Sequence, residues 1–327
     1  MNDAHEWNSL RYSPARGGGH VESYFFKLNS PDGERALWLR TTLLARPGAA
    51  PVAEAWAISF RRDGRHVACK EVVPLAAARF DPSDLGAEVA SLRTAPGSIS
   101  GSVARGPSRV AVALTFEDST PPLVPFPHAS MYTGALPKSK LVSPYPDARF
   151  DGWYEVDGER VDVRGWRGMQ GHNWGPCHTH HYAWAHCNQF DGEDAVFEGL
   201  TGRVKMGPLV LPPLTLLCLR YRGARYSWNR LRDLASASGS IGRRTWSFRA
   251  ENDLGVLEGT LSSPDDLVVG LLYENPEGPP TYCLNSKLST ATLSLTPRGR
   301  PPVTLRSRAA ALEIATTDPR HGVRLRA

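Results

Sequence analysis

The chain has 327 residues, 41% of them hydrophobic, and a formal charge of +5 spread thinly among acidic residues. That length suits about two ordinary domains, the apolar fraction excludes global disorder, and no basic run with interleaved aromatics marks a nucleic-acid partner. The 32 arginines against 6 lysines fit a GC-rich coding sequence better than phosphate chemistry.

Residues 1–19 read as a loose arm ending in Gly17-Gly18-Gly19. His20–Leu28 then alternates: His20, Glu22, Tyr24 and Phe26 share one face, and Val21, Ser23, Phe25 and Lys27 the other, as period two requires. Ser30-Pro-Asp-Gly33 supplies a turn, Ala36–Ala45 a second strand and Glu54–Phe60 a third. Arg62-Asp63-Gly64 predicts a hairpin into His66–Val73, and Gly97–Gly106 with Ser108–Glu117 another pair. Between 119 and 146 seven prolines crowd in with Phe126, Tyr132 and Tyr145. Proline removes ladder donors, so this stretch reads as an ordered, extended, non-sheet connector.

Asp157-Gly158 predicts a hairpin within Gly152–Val163. Further strands follow at Ala195–Val204, Leu209–Arg222 (broken by Pro212-Pro213), Arg244–Ala250, Gly255–Leu261, Leu267–Tyr273, Thr281–Thr296 and Val303–Thr316, with one short helix over Tyr226–Ala235. The chain reads as nearly all β, in two successive halves. The expected division is an arm over 1–19, a first half over 20–150 that includes the connector 119–146, and a second half over 151–327.

The five cysteines are widely spaced and form no CxxC pair, which suits reduced thiols. The N-terminus has no apolar signal core, and the apolar run Pro208–Leu219 holds three prolines and is too short to span a bilayer. A soluble, cytoplasmic protein with no membrane span is expected; the oligomeric state has no signature.

Chemistry concentrates in Gly165–Phe190, with five of the ten histidines and three of the nine tryptophans. In His180–Phe190 the even positions (His180, Tyr182, Trp184, His186, Asn188, Phe190) are large and hydrogen-bonding, and the odd ones (His181, Ala183, Ala185, Cys187, Gln189) are mostly small. The even face is expected to line a barrel lumen and a ligand, since each polar tip needs a partner. The alternative is a polar network that satisfies itself between the halves. Gln170, His172 and Trp174 share a face, and His172 suits acid–base work because its ordinary pKa lies near operating pH. Glu22 and Glu198 are the candidate acids, since a carboxyl in an apolar pocket has a raised pKa; the alternative is a solvated face or an arginine salt bridge. Tyr24 and Asn285 are further candidates for substrate contact. His178, His180 and His186 could share a face with Cys177 or His172, but without HExxH or CxxC spacing no metal and no cofactor is expected.

At Gly171-His-Asn-Trp-Gly175, followed by Tyr182-Ala-Trp184 and Asn188-x-Phe190, the sequence resembles a β-barrel superfamily. It includes carotenoid 1,2-hydratases (hydroxyneurosporene synthases), AttH-like proteins, tocopherol cyclases and fungal lipocalin-like Diels–Alderases. Glu22-Ser-Tyr-Phe-Phe26 resembles their opening strand. Carotenoid hydratases tend to read Asp-His-x-Trp-Gly, and here Gly171 stands where that aspartate would. The resemblance implies two tandem lipocalin-like antiparallel β-barrels with a pocket near their interface, and a cofactor-independent enzyme. Its substrate would be a hydrophobic, unsaturated small molecule of polyene, isoprenoid or polyketide type, transformed by cyclisation, hydration or isomerisation. His172, with Glu22 or Glu198, would handle protons. Gln170, Asn173, Tyr182 and Asn188 would donate hydrogen bonds, with Tyr24, His186 and Asn285 nearby, and Trp174 and Trp184 would shape the pocket. The alternative is a non-catalytic lipocalin-like carrier of a hydrophobic ligand.

Overall fold

The computed structural model describes residues 4–203, 205–206, 209–210 and 212–327. Val204, Pro208 and Leu211, which belong to the expected strands and apolar run around 195–222, lie outside the described residues, as do Met1–Asp3 of the arm.

The first sheet contains β1 (His20–Asn29), β2 (Arg35–Ala45), β3 (Val52–Arg61), β4 (Val67–Pro74), β5 (Arg79–Phe80), β6 (Ala87–Val89), β7 (Leu92–Ala95), β8 (Ser98–Arg105), β9 (Ser108–Glu117), β10 (Lys140–Val156) and β11 (Glu159–Gly175). They lie in the order β4-β3-β2-β1-β11-β10-β9-β8-β7-β6-β5. Edge strand β4 packs back against β8 and β9, so the sheet curls around a core that includes Tyr24, Phe26, Leu39, Val112 and Phe150.

The second sheet contains β12 (His181–Cys187) and β13 (Ala195–Arg203); then come the short ladder β14 (Lys205–Met206) and β15 (Leu209–Val210). The sheet continues with β16 (Leu214–Tyr221), β17 (Ala224–Trp228), β18 (Ser238–Ile241), β19 (Thr245–Asn252), β20 (Gly255–Ser262), β21 (Val269–Tyr273), β22 (Thr281–Pro297) and β23 (Val303–Thr316). Its order is β17-β16-β13-β12-β23-β22-β20-β19-β18, with β21 on β22. It curls around Phe197, Leu217, Trp228, Trp246 and Leu293. The two sheets share one plan: the first strand of each pairs with the last, β1 with β11 and β12 with β23. The expected all-β architecture of two tandem antiparallel barrels is therefore what the chain adopts.

Sheet membership changes between Gly175 and His181. The division drawn at residue 150 cuts through β10, which with β11 belongs wholly to the first sheet. The β10–β11 turn has Asp157 at φ 50° and Gly158 at φ 90°, the left-handed pair that a two-residue hairpin needs.

Three sequence expectations change. The arm is ordered: α1 (Ala4–Asn8) buries Trp7 and Asn8, and Trp7 packs edge-on against Tyr132. The connector is not wholly outside the sheet, because Lys140 already begins β10. Its register shifts fall around Pro144 and Pro146, which have no N–H for the ladder. The expected helix over Tyr226–Ala235 divides into β17 and a single 3-10 turn, Leu231–Ala235; Trp228 is pulled into the second core and donates to the Gly255 carbonyl at 2.9 Å.

Between the barrels lies a third apolar layer: Phe25, Trp38, Trp56, Phe60, Met169, Trp184, Leu271, Tyr273 and Leu288. β1 serves two cores at once, with Tyr24 and Phe26 in its own barrel and Phe25 in the common layer. On β12 the faces are the reverse of the sequence expectation. Ala183, Ala185 and Cys187 point into the second barrel, and Trp184 points into the common layer, with Tyr182 packed against it. The bulky side chains on the neighbouring strands, such as Phe197 and Leu312, fill the second barrel and leave room only for small residues on β12.

Gly171 sits under Phe25, whose ring occupies the volume that any Cβ at 171 would need. The Gly171→Ala variant is expected to lose about 1–3 kcal/mol in denaturant unfolding, by overpacking. Phe25→Leu should recover part of that loss in a double-mutant cycle. Additive losses would show that the ring does not exclude a side chain at 171.

Candidate functional site

A cavity of about 100 Å³ lies in the common layer, lined by Phe25, Trp38, Arg40, Leu141, Asn173, His178, Tyr182, Trp184, Leu200, Tyr273 and Glu313 among others. Its strands come from both sheets: β1 and β2, β10 and β11, β12 and β13, β21 and β23. Phe25 meets Trp184 edge-to-face at 5.7 Å, forming an aromatic wall. Glu313 stands opposite Trp184 in the β12–β23 register. Its Oε1 accepts from Asn285 Nδ2 at 2.9 Å and Lys287 Nζ at 2.7 Å, and its Oε2 meets only the Cys283 thiol, at 3.6 Å. Burial, with the charge of Glu313 among the lesser causes, holds the Tyr182 and Tyr273 phenols well above their usual pKa. Both are therefore hydrogen-bond donors at neutral pH. Burial and the Arg40 cation push His178 down to about 3, so its ring is neutral.

Beyond the cavity opens an outer cleft of about 400 Å³, lined by Lys138, Cys177, His180, Asn275 and Thr317 among others. The two spaces adjoin at Ser139, His178 and Thr179, which line both.

Glu198 stands one layer behind the wall. Its Oε1 accepts from Trp184 Nε1 at 3.0 Å and Ser143 Oγ at 2.9 Å, while Oε2 has no partner among the described residues. Burial raises its pKa from 4.5 to about 7 against the lowering effect of those two bonds. Glu198 reaches the cavity only through the Trp184 indole.

His172 and Glu22 are brought together, but away from this cavity. They occupy the other face of β1 and β11, beneath the N-terminal arm. Glu22 accepts from the backbone N–H groups of Arg11 and Tyr12, each at 2.8 Å, and from the Tyr24 hydroxyl at 3.3 Å. It also lies 2.8 Å from His20 Nε2 and 2.9 Å from His172 Nε2. The other His172 nitrogen, Nδ1, faces the Trp7 carbonyl at 2.7 Å. Tyr24 stacks on the imidazole at 4.3 Å and Trp174 tilts against it at 4.7 Å. Gln170 exchanges hydrogen bonds with Asn8. Burial would raise Glu22, but the bonds to His172 and His20 outweigh it and hold the carboxyl at about 2. The expectation of a raised pKa thus holds for Glu198 and is corrected for Glu22, an ionised latch for the arm. A separate recess of about 330 Å³ lies beside this latch, lined by His20, Trp174 and arm residues Arg11–Pro14.

His186 and Asn188 form a third cluster. Asn188 Oδ1 accepts from the buried Lys27 ammonium at 3.0 Å, and its Nδ2 donates to Asp147 and to the Gly168 carbonyl. His186 Nε2 lies 2.9 Å from the Pro146 carbonyl, and burial first, then Lys27, drives its pKa well below the ordinary value. This network bridges the two halves, with His186 Nδ1 left without a partner among the described residues. His178, His180 and His186 do not converge: they face the cavity, the Thr317 hydroxyl and the Pro146 carbonyl respectively. Among the described residues no three His, Cys, Asp or Glu side chains are placed to hold one ion.

Of the residues singled out in the sequence, Asn173, Tyr182 and Trp184 line the cavity, and Asn285 orients Glu313. Trp38, Arg40, Tyr273 and Glu313 escaped notice. An arginine and a glutamate at inward positions of otherwise apolar strands were their only local signal.

The two buried carboxyls give stability of opposite sign against pH. Glu22 falls from 4.5 to about 2 on folding, so its contribution is complete above pH 4.5 and is lost as pH drops toward 2. At ~1.4 kcal/mol per unit this is about 3 kcal/mol. Glu198 rises from 4.5 to about 7, so it opposes folding increasingly as pH climbs through that window. Denaturant titrations across these windows should show the stability gap between wild type and Glu22→Gln shrinking with acid. Glu198→Gln should gain on wild type between pH 4.5 and 7. A Glu198→Gln curve parallel to wild type throughout would contradict the raised carboxyl.

Two solved structures resemble the chain over nearly its whole length. A candidate AttH protein from Nitrosomonas europaea superposes with a TM-score of 0.58 at 13% identity, covering 97% of this chain and 100% of its own. Kievitone hydratase from Nectria haematococca superposes with a TM-score of 0.56 at 11% identity, covering 97% of each chain. Neither a protein-family model nor a curated protein sequence matches the chain. The resemblance to AttH-like and hydratase proteins is thus met at the level of the fold: the chain has the paired-barrel architecture of these two structures.

Proposed function

We propose that the chain is a cofactor-independent enzyme of the hydro-lyase, cyclase or isomerase kind, acting on a hydrophobic unsaturated small molecule in the cavity between the barrels. The observation that carries this reading is a buried carboxylate, Glu313, in a cavity whose lining includes the aromatic rings of Phe25, Trp38, Tyr182, Trp184 and Tyr273. A carboxylate with one oxygen held by Asn285 and Lys287 and the other nearly free is suited to move a proton. The hydratase among the structural neighbours is consistent with such chemistry.

The step balances with one group. Glu313 takes a proton from water as the water oxygen bonds one alkene carbon, and returns that proton to the neighbouring carbon; the net change is addition of water. With a substrate hydroxyl in place of water the same exchange closes a ring, and without an external nucleophile it moves the double bond. Tyr182 donates to oxygen on the substrate, and the aromatic wall holds the chain in a reactive fold. In this reading Glu198 fixes the Trp184 indole. His172 and Glu22, the first-choice proton handlers from the sequence, hold the arm in place.

Glu313→Gln is expected to lower kcat by about 10²–10⁴ on a substrate that wild type converts, with little change in KM. Mass spectrometry of an isoprenoid, polyene and polyketide panel, reading gain of water or an isomeric product, supplies the assay. His172→Ala should retain kcat while lowering the melting temperature. A Glu313→Gln enzyme with wild-type turnover removes the proposed chemistry. A panel member that wild type binds and always releases unchanged favours a carrier instead.

A further inference from the structure

Arg40 is 4% exposed, and its place in the cavity is unusual. Its Nη2 donates to Ser23 Oγ at 2.7 Å, and the guanidinium lies over the Tyr273 ring at 4.3 Å. Among the described residues no carboxylate pairs with it, and its Nε has no partner. Glu313 lines the same cavity, but its Oε1 is held by Lys287 and Asn285. A buried cation without an anion is costly, because burial removes its hydration and nothing replaces it. Two further donors of the same cavity are also unpartnered: Trp38 Nε1, and Tyr273 Oη, which has only the Cys283 thiol nearby. Among the described residues Arg40 Nε and Trp38 Nε1 thus lack partners and Tyr273 Oη has only a thiol, on three residues that line one cavity, one of them with a full positive charge. Lys140, a second cation of the lining, donates to the carbonyls of Gly134 at 3.0 Å and Lys138 at 3.5 Å.

We propose that the cavity takes its ligand oxygen-first: an ionised oxygen head, a carboxylate or an acidic enolate or phenolate, seats on Arg40, Trp38 and Tyr273, and the unsaturated chain leaves between Ser139, His178 and Thr179 into the outer cleft. The inner space of about 100 Å³ suits a head group and a few carbons, and the cleft of about 400 Å³ takes the remainder. The neutral His178 ring in the passage adds no charge to the path. This deepens the proposed function by naming the substrate class, and it rests on the same cavity. It also sets polarity: the carbons next to the head lie beside Glu313, where negative charge developing toward the head oxygen is met by fixed donors.

The probe is cis-parinaric acid, a fluorescent polyene carboxylate, compared with its methyl ester at a pH where the acid is ionised. Wild type is expected to bind the acid about tenfold or more tightly than the ester, the scale of a charge-assisted hydrogen bond. Arg40→Met should abolish that preference by weakening the acid alone. Trp38→Phe, which removes one donor and keeps the ring volume, should weaken the acid a few-fold and leave the ester unchanged. Thr179→Trp should weaken acid and ester together by filling the passage. Equal binding of acid and ester by wild type, or binding of neither, overturns the proposal. So does loss of acid and ester in parallel on Arg40→Met with no effect of Trp38→Phe, and unchanged affinity in Thr179→Trp overturns the passage. These failures differ from that of the proposed function, which falls on turnover by Glu313→Gln whatever the head-group preference.

Discussion

The structure depends on central strands that are buried on both faces. β1, β11, β12 and β23 each pair their barrel's first strand with its last, and the two pairs also pack against one another. Every such strand gives one row of side chains to its own barrel and the other to the common layer. A polar residue in that layer has no route to bulk water, so it must find a partner in the opposite barrel or face the cavity. Most find partners. Asn29 donates to the Lys287 carbonyl, Lys27 to Asn188, Gln189 to the carbonyls of Ser30 and Pro31, and His66 meets the carbonyl of Asp266. These bonds fix the two barrels in register. The donors of Trp38 and Arg40 stand out against this background because they do not follow it.

Three buried glutamates show how environment assigns roles to one side chain. Glu22 is surrounded by N–H and imidazole donors and behaves as a fixed anion. Glu198 has two neutral donors and an apolar surround, and it holds a proton far more readily. Glu313 has an ammonium and an amide on one oxygen and little on the other, within reach of the cavity. The sequence treats Glu22 and Glu198 alike because each follows the same alternating pattern; burial does not separate them, and their hydrogen-bond donors do.

Strand positions were largely legible, since period two and turn residues are local properties. Asp157-Gly158 and Arg62-Asp63-Gly64 mark their hairpins in the chain itself. The facing of a strand buried on both sides is not local. In Ala183–Asn188 the large and small rows are both buried, and only the volume supplied by Phe197 and Leu312 from other strands decides which row enters the barrel. The arm is a similar case. Its mostly polar and small residues look loose, and their order comes from Glu22 and His172, which are distant in the chain or on another element. The cavity was the least legible part. Trp38 and Arg40 on β2, Tyr273 on β21 and Glu313 on β23 come from three strands of two sheets, far apart in the chain.

The pairing of first with last strand also imposes an order on synthesis. The ladder partner of Tyr24 is His172, so the first barrel cannot close until nearly all of β11 has left the ribosome. Until then β1 presents the rings of Tyr24, Phe25 and Phe26 and an open edge, a hazard that long-range closure carries in any chain made from its N-terminus. The arm can dock only afterwards, since its carbonyl at Trp7 waits for His172. The second barrel closes when β23 reaches β12, with most of its contacts internal to 181–316. Assembly is therefore two successive closures followed by back-to-back docking, and the cavity exists only after that final event.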